Sequence, residues 1–185
     1  MTTWRDIRLK RSWRSVLVLV LAVAGGVLLC FWREGVPPKE SALLGQFHRQ
    51  RADLEEVRHA LLDMPEWRRV GEWGVETWGS PGAKVPAPGD ASRATYEKTV
   101  SILKRVDGAT ALRFDDPNPE ICIVVWGWGF AGETRHISFC SRSDRPRNLV
   151  ERLDSDAARA ILRRSPRRQV VYRHIEGTWY LREDW

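Results

Sequence analysis

Four histidines, three cysteines and a handful of paired carboxylates are the residues of this chain whose types could do chemistry. Glu55 and His59 stand at i and i+4, and His48 lies one heptad before Glu55. A metal centre needs at least one further ligand, and neither an HExxH pattern nor a paired-cysteine spacing supplies it. On a helix these side chains form a solvated face with a weak ion pair. Ser138 follows His136 by two residues on a strand-like stretch, with no acid and no sharp turn to expose a nucleophile. Asp115 and Asp116 sit in DDPNPE, whose prolines mark a turn between strands. Glycine-rich phosphate loops are missing from the sequence. The expectation is therefore no enzyme, no cofactor and no metal.

The stretch ICIVVWGWGFAGETRHISFCS (121–141) carries the strongest binding signal. A turn at Phe130-Ala131-Gly132 sets residues whose numbers sum to 262 opposite each other. Ile123 then meets Phe139, and Val125 meets Ile137, on an apolar face. The other face pairs Cys122 with Cys140, Val124 with Ser138, Trp126 with His136, and Trp128 with Thr134. Trp126, Trp128, His136 and Thr134 would make a platform for a sugar ring or a partner's side chain, unless a helix or the 66–89 segment covers the rings. Cys122 and Cys140 would lie close enough for a disulfide, or remain two buried thiols. A second candidate is the basic run Arg159, Arg163, Arg164, Arg167 and Arg168, suited to anionic lipid or an acidic partner, or else a solvated loop.

These sites need a frame. Residues 16–32 are uncharged, flanked by five basic residues and one acid before and by Arg33 and Glu34 after. That reads as a single-pass transmembrane helix with a cytoplasmic basic tail (1–15), a linker (33–40) and a periplasmic domain (41–185) in a bacterial inner membrane. Cleavage after Ala22-Val23-Ala24 and lipidation at Cys30 are the alternatives. The net charge of +6 divides into +4 before residue 16 and +2 from Arg33 onward. A domain so near neutrality lacks the field expected of a nucleic-acid binder.

Within the domain, Leu43, Phe47, Leu54, Val57, Leu61 and Met64 recur at spacings of three and four, with Gln50 the polar interruption, and predict a helix of about 24 residues that starts near Ser41 and stops before Pro65. A second helix starts at Asp90 or Ser92, buries Tyr96, Val100, Leu103 and Val106, and ends at Gly108. Ser155 or Asp156 caps a short third one. From residue 111 the period becomes two, and the pattern predicts an α+β domain of two main helices on a mainly antiparallel sheet of about five to six strands.

The helix FHRQRADLEEVRHALLDM, the later TYEKTVSILKRVDG and the closing YRHIEGTWYL resemble a loose group of small bacterial membrane-associated or lipoprotein-like proteins. These share an F-x-x-x-R-x-x-LE-type helix after the leader and a C-terminal W-Y-L hairpin. The resemblance implies topology and fold class only; Arg182 stands where the group usually has an aromatic residue. Taken together, the expected function is a protein-interaction module of the cell envelope, of the immunity-protein or accessory-subunit kind, with another envelope protein as partner. The alternative is an envelope enzyme or binding protein acting on cell-wall glycans through Trp126 and Trp128.

Overall fold

The computed structural model describes residues 18–20, 22, 35–80, 82–115, 118–130, 133–164 and 169–184. Two units divide the chain, Met1–Pro37 and Pro38–Trp185, and the second carries the sheet with its helices. Its first element is helix α1 (Glu40–Asp63), and Leu43, Phe47, Leu54, Val57 and Leu61 on one side of it are all buried. The helix begins one residue before Ser41, with Lys39 as its extended cap residue. Gln50 interrupts the apolar stripe for a reason. Its amide donates to the Arg105 carbonyl at 3.0 Å, and Gln46 donates to the Val106 carbonyl at 2.8 Å. Both satisfy carbonyls left open at the end of α2 (Arg93–Arg105). Arg113 does the same for α1, reaching the Leu61 carbonyl at 2.8 Å.

Eight strands form one sheet: β1 (Trp67–Gly71), β2 (Gly74–Thr77), β3 (Thr110–Phe114), β4 (Glu120–Phe130), β5 (Glu133–Arg142), β6 (Leu149–Val150), β7 (Val170–Glu176) and β8 (Trp179–Asp184). Their order is β2-β1-β3-β4-β5-β8-β7-β6, antiparallel throughout except for the parallel β6–β7 pair. A third helix, α3 (Asp156–Arg163), is capped by the Ser155 hydroxyl, which accepts from the Ala158 N–H at 3.2 Å, and it packs by Ala158 and Leu162.

The α+β class stands, but two expectations are corrected. The sheet has eight strands rather than five or six, because β1 and β2 are five- and four-residue pieces. Their apolar residues are too few to show a period of two among the Gly and Trp of 66–89. In turn, the RNLVERL stretch contributes only Leu149–Val150. The transmembrane helix is also overturned: among the described residues no helix is long and apolar enough to cross a membrane. The longest, α1, carries ion pairs such as Arg58–Glu55 along its length. Most of 16–32 lies outside the described residues, as do the processing alternatives at Ala24 and Cys30. The single-pass, inner-membrane and periplasmic placement falls with that helix.

The core lies between the helices and one face of the sheet. Successive paired residues across it are Val70, Ala111, Ile123, Phe139 and Leu181, all essentially inaccessible to solvent. Phe47 of α1 sits 5.6 Å from both the Phe139 ring and the Trp179 ring, in the edge and tilted arrangements that aromatic rings favour. The Trp179 indole then donates to Glu55 Oε1 at 2.7 Å. Burial works to raise the Glu55 pKa. The bonds from Trp179 and Arg58 and the charges of Arg58 and Arg51 outweigh it and hold this carboxyl below its ordinary range.

Two consequences are measurable. Trp179→Ala removes a fully buried ring and should lower unfolding stability by about 3–5 kcal/mol in chemical denaturation. Because the folded-state pKa of Glu55 is depressed, its contribution is present above the ordinary carboxyl pKa of 4.5 and is lost as pH falls through the lowered folded value. Glu55→Gln should therefore flatten the acid limb of a stability-versus-pH curve below that point. An unchanged limb would mean that the Glu55 carboxyl is not held below its ordinary range.

Candidate functional site

Strand pairing determines which side chains look away from the helices. On the open face one row runs Arg69, Leu112, Cys122, Cys140, Tyr180 and His174; the next runs Gly71, Thr110, Val124, Ser138, Arg182 and Tyr172. Beside them lie Glu120 opposite Arg142, and His136 opposite Asp184. Cys122 and Cys140 are joined by a disulfide that links the two central strands of this face.

Arg182 is the centrepiece. From β8 its side chain reaches across β5 and β4, donates from Nη1 to Cys122 Sγ at 3.5 Å, and places its guanidinium 4.8 Å from the Phe114 ring on β3. The Tyr172 ring lies 5.9 Å away on its other flank. Glu120 and Asp184 approach to 3.8 and 3.9 Å, close enough to neutralise the charge but beyond hydrogen-bond reach. Arg142 forms a two-point contact with Asp144 and lies 5.4 Å from the Tyr172 ring. The Tyr172 hydroxyl donates to Glu120 Oε2 at 3.3 Å. Burial, first of all, pushes the Tyr172 phenol up to about 12; the guanidinium of Arg182 pulls the other way, and the Glu120 carboxylate adds to the rise.

Beside this network a cleft of about 570 Å³ opens along β1, β3 and β4. Arg68, Arg69, Arg113 and Arg182 line it against Glu76 and Asp184, with Leu112, Phe114 and Val124 as apolar wall. A bulge in β1 explains how two consecutive arginines share it. Trp67 pairs with Thr77 and Arg69 with Glu76, so Arg68 is an extra residue that turns the strand. Each arginine also stacks on an exposed tryptophan: Arg69 lies 4.8 Å from the Trp73 ring, and Arg68 lies 5.5 Å from that of Trp78. Trp73 folds back onto Gly71, where a Cβ would sit 2.7 Å from the indole nitrogen. Glycine is the residue that leaves room for the ring.

The platform expected from the sequence is divided between two faces. The register sum of 262 holds from Glu120 to Val124, and then Val125 is an extra residue and the sum becomes 263. Trp126 pairs with Ile137 and packs against the core, and Trp128 pairs with Arg135 on that same side. His136 and Thr134 pair with Gly127 and Gly129 on the open side. Arg135 lies 5.7 Å from the Trp126 ring and bonds Glu183 at 2.6 Å. Of the basic run, Arg159, Arg163 and Arg164 are exposed on and after α3, with Arg159 bonded to Asp156 and to the Asp154 carbonyl. Arg167 and Arg168 lie outside the described residues.

His48 and His59 are exposed on α1, and His59 stands 4.0 Å from Glu55 in a groove of about 650 Å³ between α1 and α2. Among the described residues one set of metal-ligand side chains comes together, Glu120 with Cys122 and Cys140, within 4.8 Å. Both of its sulfurs are engaged in the disulfide. Sequence reasoning missed Arg68, Arg69, Trp73 and Arg182; the departure from an aromatic residue at Arg182 was the one available signal. No family model, no curated protein and no solved structure matches this chain.

The Tyr172 phenol offers a readout of the network. Its folded-state pKa is raised, so its stabilising contribution is full below the ordinary value of 10 and is lost as pH rises through about 12. In an ultraviolet difference titration against Tyr172→Phe, the wild-type signal attributable to this ring should appear near the top of that window. Ionisation at the ordinary value would show that the ring is not enclosed by the network.

Proposed function

We propose that the protein is a non-enzymatic interaction module that binds another protein through the open-face cleft and its aromatic rim. The observation that carries this reading is that Arg69 and Arg68, which line the cleft, each lie over a tryptophan ring, Trp73 and Trp78, with both rings two-fifths or more exposed. Tryptophan and arginine are the residues most enriched where binding energy concentrates in protein interfaces. An arginine held over an indole has also lost some of its freedom before a partner arrives, which lowers the entropy cost of docking. Phe114, partly exposed on the same cleft, extends the apolar part of this surface.

A hydrolytic or glycan-processing role has less support. The Trp126 and Trp128 rings do not share a face with His136 and Thr134. Each carboxylate at the cleft has a charged or polar neighbour: Glu76 stands 3.9 Å from Arg69, Asp184 stands 3.8 Å from His136 and 3.9 Å from Arg182, and Glu120 accepts from Tyr172.

The test is affinity capture with the full chain as bait, run in parallel for wild type, Trp73→Ala, the double variant Arg68→Glu/Arg69→Glu, and His48→Ala as a control on the opposite side. A specific partner should be retained by His48→Ala and reduced about tenfold or more by each of the other two. Equal capture by all four baits would move the interface elsewhere on the molecule. Binding of polysaccharide rather than protein, abolished by Trp126→Ala, would restore the glycan alternative.

A further inference from the structure

We propose that the cleft holds an acidic segment of the partner protein, whose carboxylates are taken by the guanidiniums of Arg69 and Arg182 that line it. This rests on the interaction reading and adds the chemistry that the partner must present.

The motive is a pair of unmet donors. Arg69 Nε and Arg182 Nε are both buried, neither has a hydrogen-bond acceptor, and the two side chains line the same cleft. A buried donor left without an acceptor is a destabilising feature that folded proteins rarely keep. Neighbouring acids do not relieve it. Glu76 stands 3.9 Å from Arg69, and Glu120 and Asp184 stand 3.8 and 3.9 Å from Arg182, all outside hydrogen-bond distance. Both guanidiniums also lie over aromatic rings, Arg69 over Trp73 and Arg182 over Phe114, at 4.8 Å in each case. Planar, oriented N–H groups match the two oxygens of a carboxylate in a way that a lysine ammonium does not.

The remainder of the lining selects among anions. Arg113 is taken up by Asp115 and by the Leu61 carbonyl, so it contributes charge without a free donor edge. With Glu76 and Asp184 also facing the cleft, the excess of positive charge is modest. Leu112, Val124 and Phe114 supply an apolar wall that a fully hydrated phosphate would not use. A carboxylate on a peptide chain, with methylene or aromatic groups beside it, satisfies both halves.

The test uses the full chain labelled with nitrogen-15, following arginine Nε–H signals assigned through Arg69→Lys and Arg182→Lys. The probes are hexaglutamate ending in phenylalanine, the lysine counterpart of that peptide, and inorganic phosphate. The glutamate peptide should shift both Nε–H resonances saturably. The lysine peptide should not, and the affinity should fall with added salt and by about tenfold or more in Arg182→Gln. Peptide binding that leaves both resonances in place would overturn the carboxylate contact, and so would the absence of any shift with the wild-type protein. Shifts with phosphate alone would make this a small-anion site and remove the protein segment. If Arg182→Gln does not fold, the wild-type resonances still decide. Retention of the captured partner by a folded Arg182→Gln bait, with the Trp73→Ala loss intact, would sink that contact while leaving the interaction module standing.

Discussion

Phe47 wedged against Phe139 and Trp179 fixes how α1 lies on the sheet, and most other choices depend on that seat. The Glu55–Trp179 hydrogen bond holds the same contact from its polar side. From this position α1 carries α2 with it through Gln46, Gln50 and the Asp53–Arg105 pair. At its other end Glu40 pairs with Arg173 of β7 and accepts the Leu153 N–H at 2.7 Å. One face of the sheet is thereby committed to apolar packing. Polar groups that the strands must carry are left to the other face, and that division separates the core from the candidate site.

Periodicity made the helices legible because their buried residues repeat over several turns. The stripe Leu43, Phe47, Leu54, Val57, Leu61 is such a repeat, and the Ser155 cap of α3 could be read from residue type and position. Trp179 and Leu181 could be placed on the core side from alternation. What alternation cannot reveal is an extra residue. The bulges at Arg68 and Val125 each reverse the facing of everything beyond them. At Val125 this sends Trp126 inward and separates it from His136. At Arg68 it brings two arginines into one cleft. Neither position has a distinctive residue type, so both were silent in the sequence, and the candidate site moved accordingly. The membrane assignment failed for a different reason: it rested on composition over 16–32, and no described helix supports it.

The open face is unusual in what it buries. Arg182, Arg142, Glu120 and Asp184 lie over a disulfide with two tyrosines beside them, where apolar residues would satisfy packing more simply. Desolvating such charges is unfavourable unless their mutual geometry is good. Several of the separations, at 3.7 to 3.9 Å, are longer than direct hydrogen bonds. Shorter bonds at its margin, Arg142 to Asp144 at 2.6 and 2.9 Å and Tyr172 to Glu120 at 3.3 Å, offset part of that cost.

The sheet's outermost strands bear on how the molecule behaves in a crowd. A free strand edge is a template on which further chains can add, and ordered aggregates grow from it. Here β2 is shielded by a bridge from Val75 to Lys84, with hydrogen bonds of 3.0 and 2.9 Å in the two directions. Gly74 permits it, since a Cβ there would meet the Lys84 carbonyl carbon at 2.8 Å. The opposite margin ends in β6, only two residues long and paired in parallel. The β2 margin is thus bridged at Val75, and β6 covers β7 at Tyr172 and Arg173, which shortens the unpaired backbone on which a fibril could propagate.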